Sequence, residues 1–281
     1  MNIAHSYIET SVRQALEEDI GTGDVTGEII EQTSTSCATV ISREAAIICG
    51  TTWFNEVFKQ LDSHIHIHWH ITDGDSVDAN QLLCELNGST RSLLSGERAA
   101  LNFLQTLSAT ASLAYKYAQT IRSTNAKVLD TRKTIPGLRL AQKYAVSCGG
   151  GVNHRTGLYD AILIKENHII GAGSIQQAVE SARQQHPELS IEVEVENLDE
   201  LQQAMNANVE RVLLDNFSLQ QLSQAVKLNN QQLELEASGN VTLDNILSIA
   251  ETGVDYISSG AITKDIKAVD LSMRLKTENN K

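Results

Sequence analysis

The chain has 281 residues, 41% hydrophobic and 20% charged, with 22 Lys+Arg against 35 Asp+Glu for a formal net charge of −13. That length suits two domains, or one large α/β barrel with an extension. The acidity argues against a nucleic-acid partner, and no apolar run approaches the roughly 18 residues that mark a membrane span. The first residues carry acids and no continuous apolar stretch, so neither a signal peptide nor a transit peptide is expected. Cys37, Cys49, Cys84 and Cys148 are widely spaced and form no CxxC pair. Reduced thiols in a cytoplasmic protein are the simplest expectation.

Residues 1–20 are expected to be helical, with Ile8, Val12, Ala15 and Leu16 near helical spacing and Gly21-Thr22-Gly23-Asp24 as the stop. Residues 37–50 and 64–86 read as strands. His64, His66, His68 and His70 alternate with Ile65, Ile67 and Trp69, so all four imidazoles share one strand face. Spread along an extended strand, they span too far for one ion, and no nearby Cys or carboxylate completes a shell. A solvated face is therefore expected over a metal site. Asp73-Gly74-Asp75 is a turn without the ligand spacing of a calcium loop. A long helix is expected from Leu93, with Ser95 as its N-cap. Arg98 then falls in the first turn, where a cation opposes the helix dipole, a hint that it serves an anion.

From Val128 onward the pattern is strand, loop, helix, repeated. Strands are expected at 127–130, 161–164, 191–195, 212–214, 233–237 and 255–258. Asn197 with Glu200 and Ser218 with Gln221 stand at capping-box spacing, and Ser174 and Thr242 are expected caps of two further helices. Short loops between alternating strands and helices imply a parallel sheet, doubly wound or closed as a barrel. Lys165, Glu194, Asp215 and Glu236 fall toward strand C-termini, the last three at intervals of 21 residues. Such strand ends are where α/β barrels carry their active sites, so a barrel is favoured. Glu192, Glu194 and Glu196 share one strand face, and Glu234 and Glu236 repeat the pattern. That face must meet cations or water, whereas a strand covered on both sides would be apolar throughout.

The segment Asp130–Asn167 reverses the acidic balance, with Arg132, Lys133, Arg139, Lys143, Arg155 and Lys165 against Asp130, Asp160 and Glu166, a local +3. Cations gathered in an acidic chain suggest a focused anion site; solvated surface charge is the alternative. Small residues at Ser238-Gly239-Asn240 and Ser259-Gly260, after strands, would let backbone N–H groups approach a phosphate. Carboxylates at strand ends could hold ribose hydroxyls or a Mg²⁺. The inventory fits a phosphorylated sugar donor and a small anionic acceptor.

TRKTIPGLR at Thr131–Arg139, then GGGVNHRTGLYDAILIKENH, together with GDVT, GERAALNFLQTLSATA, EVEVEN, LLDNF, ASGN and SSGAIT in order, resembles the quinolinate phosphoribosyltransferases (decarboxylating). The resemblance implies a C-terminal TIM-like barrel of seven strands beside an N-terminal α/β sandwich domain. The expected ranges are 111–267 for the barrel and 1–110 for the sandwich, completed by 268–281. It also implies phosphoribosyl transfer from 5-phosphoribosyl 1-diphosphate to quinolinate, giving nicotinate mononucleotide, CO₂ and diphosphate in NAD biosynthesis. Carried over by motif, Arg98 would bind quinolinate, reaching in from a second subunit of a homodimer. Arg132, with His154 and Arg155, would hold the ring carboxylates, and Thr131 would be a further substrate-binding residue. Lys133, Lys165, Glu194 and Asp215 would be the catalytic set. The two lysines would sit near quinolinate and the donor, and the two acids would hold ribose hydroxyls directly or through Mg²⁺. Ser238, Gly239, Asn240, Ser259 and Gly260 would cradle the 5-phosphate. Asn240 stands where the family often has glycine, and asparagine tolerates positive φ better than most residues. A nicotinate-type acceptor on the same scaffold and a non-catalytic anion binder are the rival readings.

Overall fold

A computed structural model describes residues 3–276. They divide into two compact units, 3–113 with 135–149 and 266–276, and 114–134 with 150–265. Residues 277–281, expected to complete the first domain, lie outside the described residues. The segment 135–149, expected within the barrel, belongs to the first unit. Its helix Arg139–Cys148 buries Ala141 and Ala145 in that unit's core. Gln142 further ties it down, donating to Thr110 Oγ1 at 3.2 Å and accepting from the Ile135 N–H at 2.8 Å.

The first unit is built on an antiparallel sheet whose strands run in the order Leu271–Leu275, Thr35–Ser42, Leu82–Ser89, His66–Trp69. Alternation on Thr35–Ser42 buries Ala38 and Val40. The helix Thr51–Leu61 lays Trp53, Phe54, Val57 and Phe58 into the same core, joined by Leu101, Leu104 and Leu107 of the helix Thr90–Thr120. Each such side chain, fully buried, contributes about 1.5–3 kcal/mol of transfer free energy. The His66–Trp69 strand is an edge, and His64, His66, His68 and His70 are all exposed while Ile65, Ile67 and Trp69 turn inward. An edge strand with a polar outer face resists pairing with another chain. The long helix begins at Thr90, directly after its strand, so Ser95 is inside it rather than capping it. Ser95 Oγ instead donates to Asp24 Oδ2 at 2.7 Å. Arg98 thus lies beyond the first turn, where the dipole argument no longer applies.

The second unit holds a wholly parallel sheet in the order Lys127–Leu129, Tyr256–Ser258, Glu234–Ser238, Arg211–Asp215, Ile191–Val195, Ile162–Ile164. Helices follow the strands with the caps that the spacing implies. Asn197 and Ser218 accept from the N–H groups of Glu200 and Gln221, and Ser174 accepts from Gln177. Thr242 is not a cap: the helix Ile246–Ala250 starts four residues later, after Asn245. Ile191–Val195 is paired on both sides and so is not an edge; Ile191, Val193 and Val195 are buried on one face, while Glu192 and Glu194 on the other meet His154 and Lys165.

Six strands and a single bridge, Val152 pairing with Leu129, stand where seven strands were expected. In a flat sheet Val152 would sit five steps from Ile191–Val195, about 24 Å at about 4.8 Å per step. Yet His154, two residues on, meets Glu192 at 2.8 Å. The sheet therefore curls round on itself, as an α/β barrel requires.

Candidate active site

Parallel strands that all point one way bring their C-terminal ends to one rim, and this unit has a cavity of about 800 Å³ there. Of the expected site residues, Thr131, Arg132, Lys133, His154, Arg155, Lys165, Glu194, Asp215, Ser238, Gly239, Asn240, Ser259 and Gly260 line it. Arg98 does not. It belongs to the first unit, with its side chain 62% exposed beside Glu97.

The cationic wall follows the Lys127–Leu129 strand and the Val152 bridge. Thr131 Oγ1 accepts from the Lys133 N–H at 3.0 Å, and Thr263 Oγ1 donates to the Lys133 carbonyl at 2.7 Å, fixing that turn from both sides. A Cβ at Gly260 would stand 2.8 Å from Lys133 Cδ, so a side chain there would displace that of Lys133. Asp130 is fully buried and accepts from Asn153 Nδ2 at 2.7 Å and the His154 N–H at 2.9 Å, joining the two cationic loops. Asp160 accepts from the Thr156 and Gly157 N–H groups at 2.7 and 2.9 Å; burial pushes its carboxyl up, and these donors outweigh it. Burial, then the neighbouring Arg132 guanidinium, lower Arg155. Two neighbouring guanidinium groups on one cavity wall form a site suited to taking up an anion.

Opposite them stand the acids. Glu194 and Asp215 come from adjacent, paired strands, and Lys165 Nζ pairs with Glu194 Oε2. Lys165 also begins the helix Glu166–Ala172, where its N–H donates to His168 Nδ1 at 3.0 Å. The third wall is the turn after Glu234–Ser238. Gly239 has φ 101 and Asn240 φ 50, so the asparagine does adopt the left-handed conformation expected of it. A tight turn of this kind at a strand end, open to the cavity, can present backbone N–H groups to an anion.

Beneath the cationic wall, His154 has both ring nitrogens engaged. Nε2 lies 2.8 Å from Glu192 Oε2 and 3.4 Å from Glu236 Oε2, and Nδ1 accepts from the Arg155 N–H at 2.8 Å. Burial lowers His154, but the hydrogen bonds and charges of the two acids raise it to about 9. Burial, with the Glu236 charge adding to it, pushes Glu192 up. The two acids thus hold the ring through its Nε2 edge. His154, Glu192 and Glu236 have ligand atoms within 4.8 Å of one another. Ligands about 2.0–2.2 Å from a tetrahedral metal sit about 3.3 Å apart, so the 2.8 Å contact is a hydrogen bond rather than part of a metal shell. Glu192 and Lys264 were not singled out from sequence as site residues. Lys264 lines the cavity from the short helix after Gly260.

The model of the quinolinate phosphoribosyl transferase N-terminal domain matches residues 24–108, and that of its C-terminal domain matches 110–274. A probable nicotinate-nucleotide pyrophosphorylase (carboxylating) of Bacillus subtilis is 38% identical over 276 residues, spanning 98% of this chain and 96% of the relative. A quinolinate phosphoribosyltransferase (decarboxylating) of Nicotiana tabacum is 36% identical over 288 residues, spanning 95% and 82%. The solved nicotinate-nucleotide pyrophosphorylase of Francisella tularensis superposes with a TM-score of 0.96 at 49% identity, covering 98% of each chain. With both domain models matched in order along the chain, this protein belongs to the quinolinate phosphoribosyl transferase family.

Proposed function

We propose that this chain transfers the phosphoribosyl group of 5-phosphoribosyl 1-diphosphate to quinolinate, with decarboxylation, giving nicotinate mononucleotide, CO₂ and diphosphate. The observation that carries the reading is one cavity with paired guanidinium groups, strand-end carboxylates and a left-handed glycine turn. Arg132 and Arg155 grip the ring carboxylates and aim the pyridine nitrogen at ribose C1. Ser238-Gly239-Asn240 and Ser259-Gly260 hold the 5-phosphate. Glu194 and Asp215 hold the ribose hydroxyls, and Lys133 and Lys165 neutralise the diphosphate. Positioning and charge complementarity supply most of the acceleration, without a covalent enzyme intermediate. As the C1–O bond breaks, the ring nitrogen becomes quaternary. The electron pair released when the bond from carbon 2 to its carboxylate breaks stays on carbon 2, stabilised by the adjacent positive nitrogen. CO₂ departs and carbon 2 takes a proton.

Glu194 and Asp215 also suit Mg²⁺, which binds through one or two carboxylates together with phosphate and water. When bound, that ion neutralises charge on the departing diphosphate. The four free cysteines fit a reducing, cytoplasmic setting. Among the described residues no helix is long and apolar enough to cross a membrane.

The test is a turnover assay that counts CO₂ per diphosphate, with nicotinate run in parallel. One-to-one release with quinolinate and silence with nicotinate is the expected result. Product from nicotinate alone would assign the chain to the other acceptor.

Arg98 completes the clamp from a second copy. Mixing Arg98→Ala with Asp215→Ala protein, each inactive alone, should restore about a quarter of wild-type activity, since half the dimers are mixed and carry one intact site. Mixtures that stay inactive after subunit exchange would place Arg98 in its own chain's site.

A further inference from the structure

The histidine ladder on the edge strand has no part in the proposed reaction, and strand pairing changes what it can do. His66–Trp69 pairs antiparallel with Leu82–Ser89 in a register that sets His68 opposite Glu85. The ladder runs on, with the His70 N–H donating to the Leu83 carbonyl at 2.9 Å, so His70 lies on the diagonal from Glu85. Residues opposite one another share a sheet face, as do residues two apart on one strand. His68, His70 and Glu85 therefore project from one outer face, where both histidines are exposed. The carboxylate missing from the histidine strand itself is supplied by its neighbour. His70 Nε2 stands 3.6 Å from Glu85 Oε2. Two ligands on one tetrahedral ion are about 3.3 Å apart. The His68 and His70 rings have centroids 4.8 Å apart, and imidazoles that share such an ion sit at about 5 Å. Lys276 Nζ holds Glu85 Oε1, which keeps the carboxyl below its ordinary value and leaves Oε2 facing the histidines.

We propose that His68, His70 and Glu85 form a surface site for a divalent transition metal, Zn²⁺ being the type ion, with water as the fourth ligand. His70 and Glu85 already stand near ligand spacing, and the exposed His68 ring completes the set by turning toward them. Two imidazoles with one carboxylate suit Zn²⁺, Ni²⁺ and Cu²⁺, whereas Mg²⁺ takes oxygen ligands. The site is thus separate in chemistry from any Mg²⁺ held with the phosphoribosyl donor, and it does not depend on the reaction proposed above. His66 is outside the set, because its cross-strand partner is Asn87, which accepts from Cys37 Sγ. A bound ion staples the edge strand to Leu82–Ser89, and a ligand held only by the folded chain stabilises it. His5, Glu9 and Glu56 also lie within ligand reach of one another. There, however, Lys59 Nζ stands 3.3 Å from His5 Nε2 and 3.1 Å from Glu56 Oε2 and already supplies the positive charge.

The experiment titrates Zn²⁺ into the full chain, first stripped with a chelator, and follows the histidine ring NMR signals and the melting temperature. The His68 and His70 signals should shift together and saturate, and the melting temperature should rise by a few degrees. Affinity is then read from the ladder signals in single variants. His68→Ala, His70→Ala and Glu85→Gln should each weaken Zn²⁺ about tenfold or more, while His66→Ala stays within about twofold. His5→Ala should leave the affinity at the ladder unchanged, and excess Mg²⁺ should not displace the ion. Melting without metal checks that each variant is folded. Saturating Zn²⁺ that leaves the His68 and His70 signals of the unsubstituted chain unmoved overturns the proposal without recourse to any variant. Equal weakening by His66→Ala and His70→Ala overturns it too, since the strand would then be a diffuse imidazole face rather than a site. An indifferent Glu85→Gln removes the cross-strand carboxylate, and with it the three-ligand set.

Discussion

Arg132→Ala lowers kcat/KM for quinolinate by about two to three orders of magnitude, or about 3–4 kcal/mol, the usual cost of truncating one partner of a desolvated, hydrogen-bonded charge pair. The effect is this large because the residue is placed rather than loosely tethered. Buried Asp130 precedes it, and the Lys133 turn that follows is clasped by Thr131 and Thr263. Little ordering is then left to be done on binding, and the guanidinium fork meets a carboxylate with two parallel hydrogen bonds. Lysine cannot reproduce that fork, so Arg132→Lys should recover less than a tenth of the loss, measured as kcat/KM in the same assay. Affinity for the phosphoribosyl donor, read by calorimetry without quinolinate, should change by no more than a few-fold. A variant that keeps near-full kcat/KM for quinolinate would remove Arg132 from the clamp.

Much of this cavity was legible from residue spacing because a parallel barrel repeats. Glu194 and Asp215 recur at one interval, and the structure sets them on neighbouring strands at the same rim. The caps at Ser174, Asn197 and Ser218 read correctly because each is a local contact three residues long. Failures came where the deciding partner is distant. Thr90 starts its helix straight off a strand, which no capping signal marks. The Arg139–Cys148 helix has an apolar face whose destination, the first unit's core, only the three-dimensional contacts reveal. Strand alternation correctly put Glu192 and Glu194 on one face, but periodicity names a face and not what it meets. The partner of Glu192 is an imidazole 38 residues earlier in the chain, brought round by the curl of the sheet.

Gly239→Ala should abolish high-affinity binding of the phosphoribosyl donor while leaving most of the fold intact. Two independent costs arise there. The backbone sits at φ 101, outside the range side chains readily adopt, and such strain costs about 1–3 kcal/mol. An added Cβ would also lie 2.2 Å from Asn216 Oδ1 and 2.9 Å from the Asn216 backbone nitrogen. The amide side chain can rotate away, but the backbone cannot, because the Asn216 N–H donates to the Ser238 carbonyl at 2.9 Å. The turn must therefore open, and its successive N–H groups move apart. A loss of about 3 kcal/mol, or on the order of a hundredfold in donor affinity, follows from strain and lost hydrogen bonds together. Asn240→Gly is the control: its φ of 50 suits glycine at least as well, and only a 3.3 Å contact from Nδ2 to Asn216 Oδ1 is lost. Calorimetric titration of the donor into both variants separates the cases. Equal binding by Gly239→Ala and the unsubstituted chain would mean that the 5-phosphate is held elsewhere, and the Ser259-Gly260 turn, with Lys264 beside it, would then have to carry that charge alone.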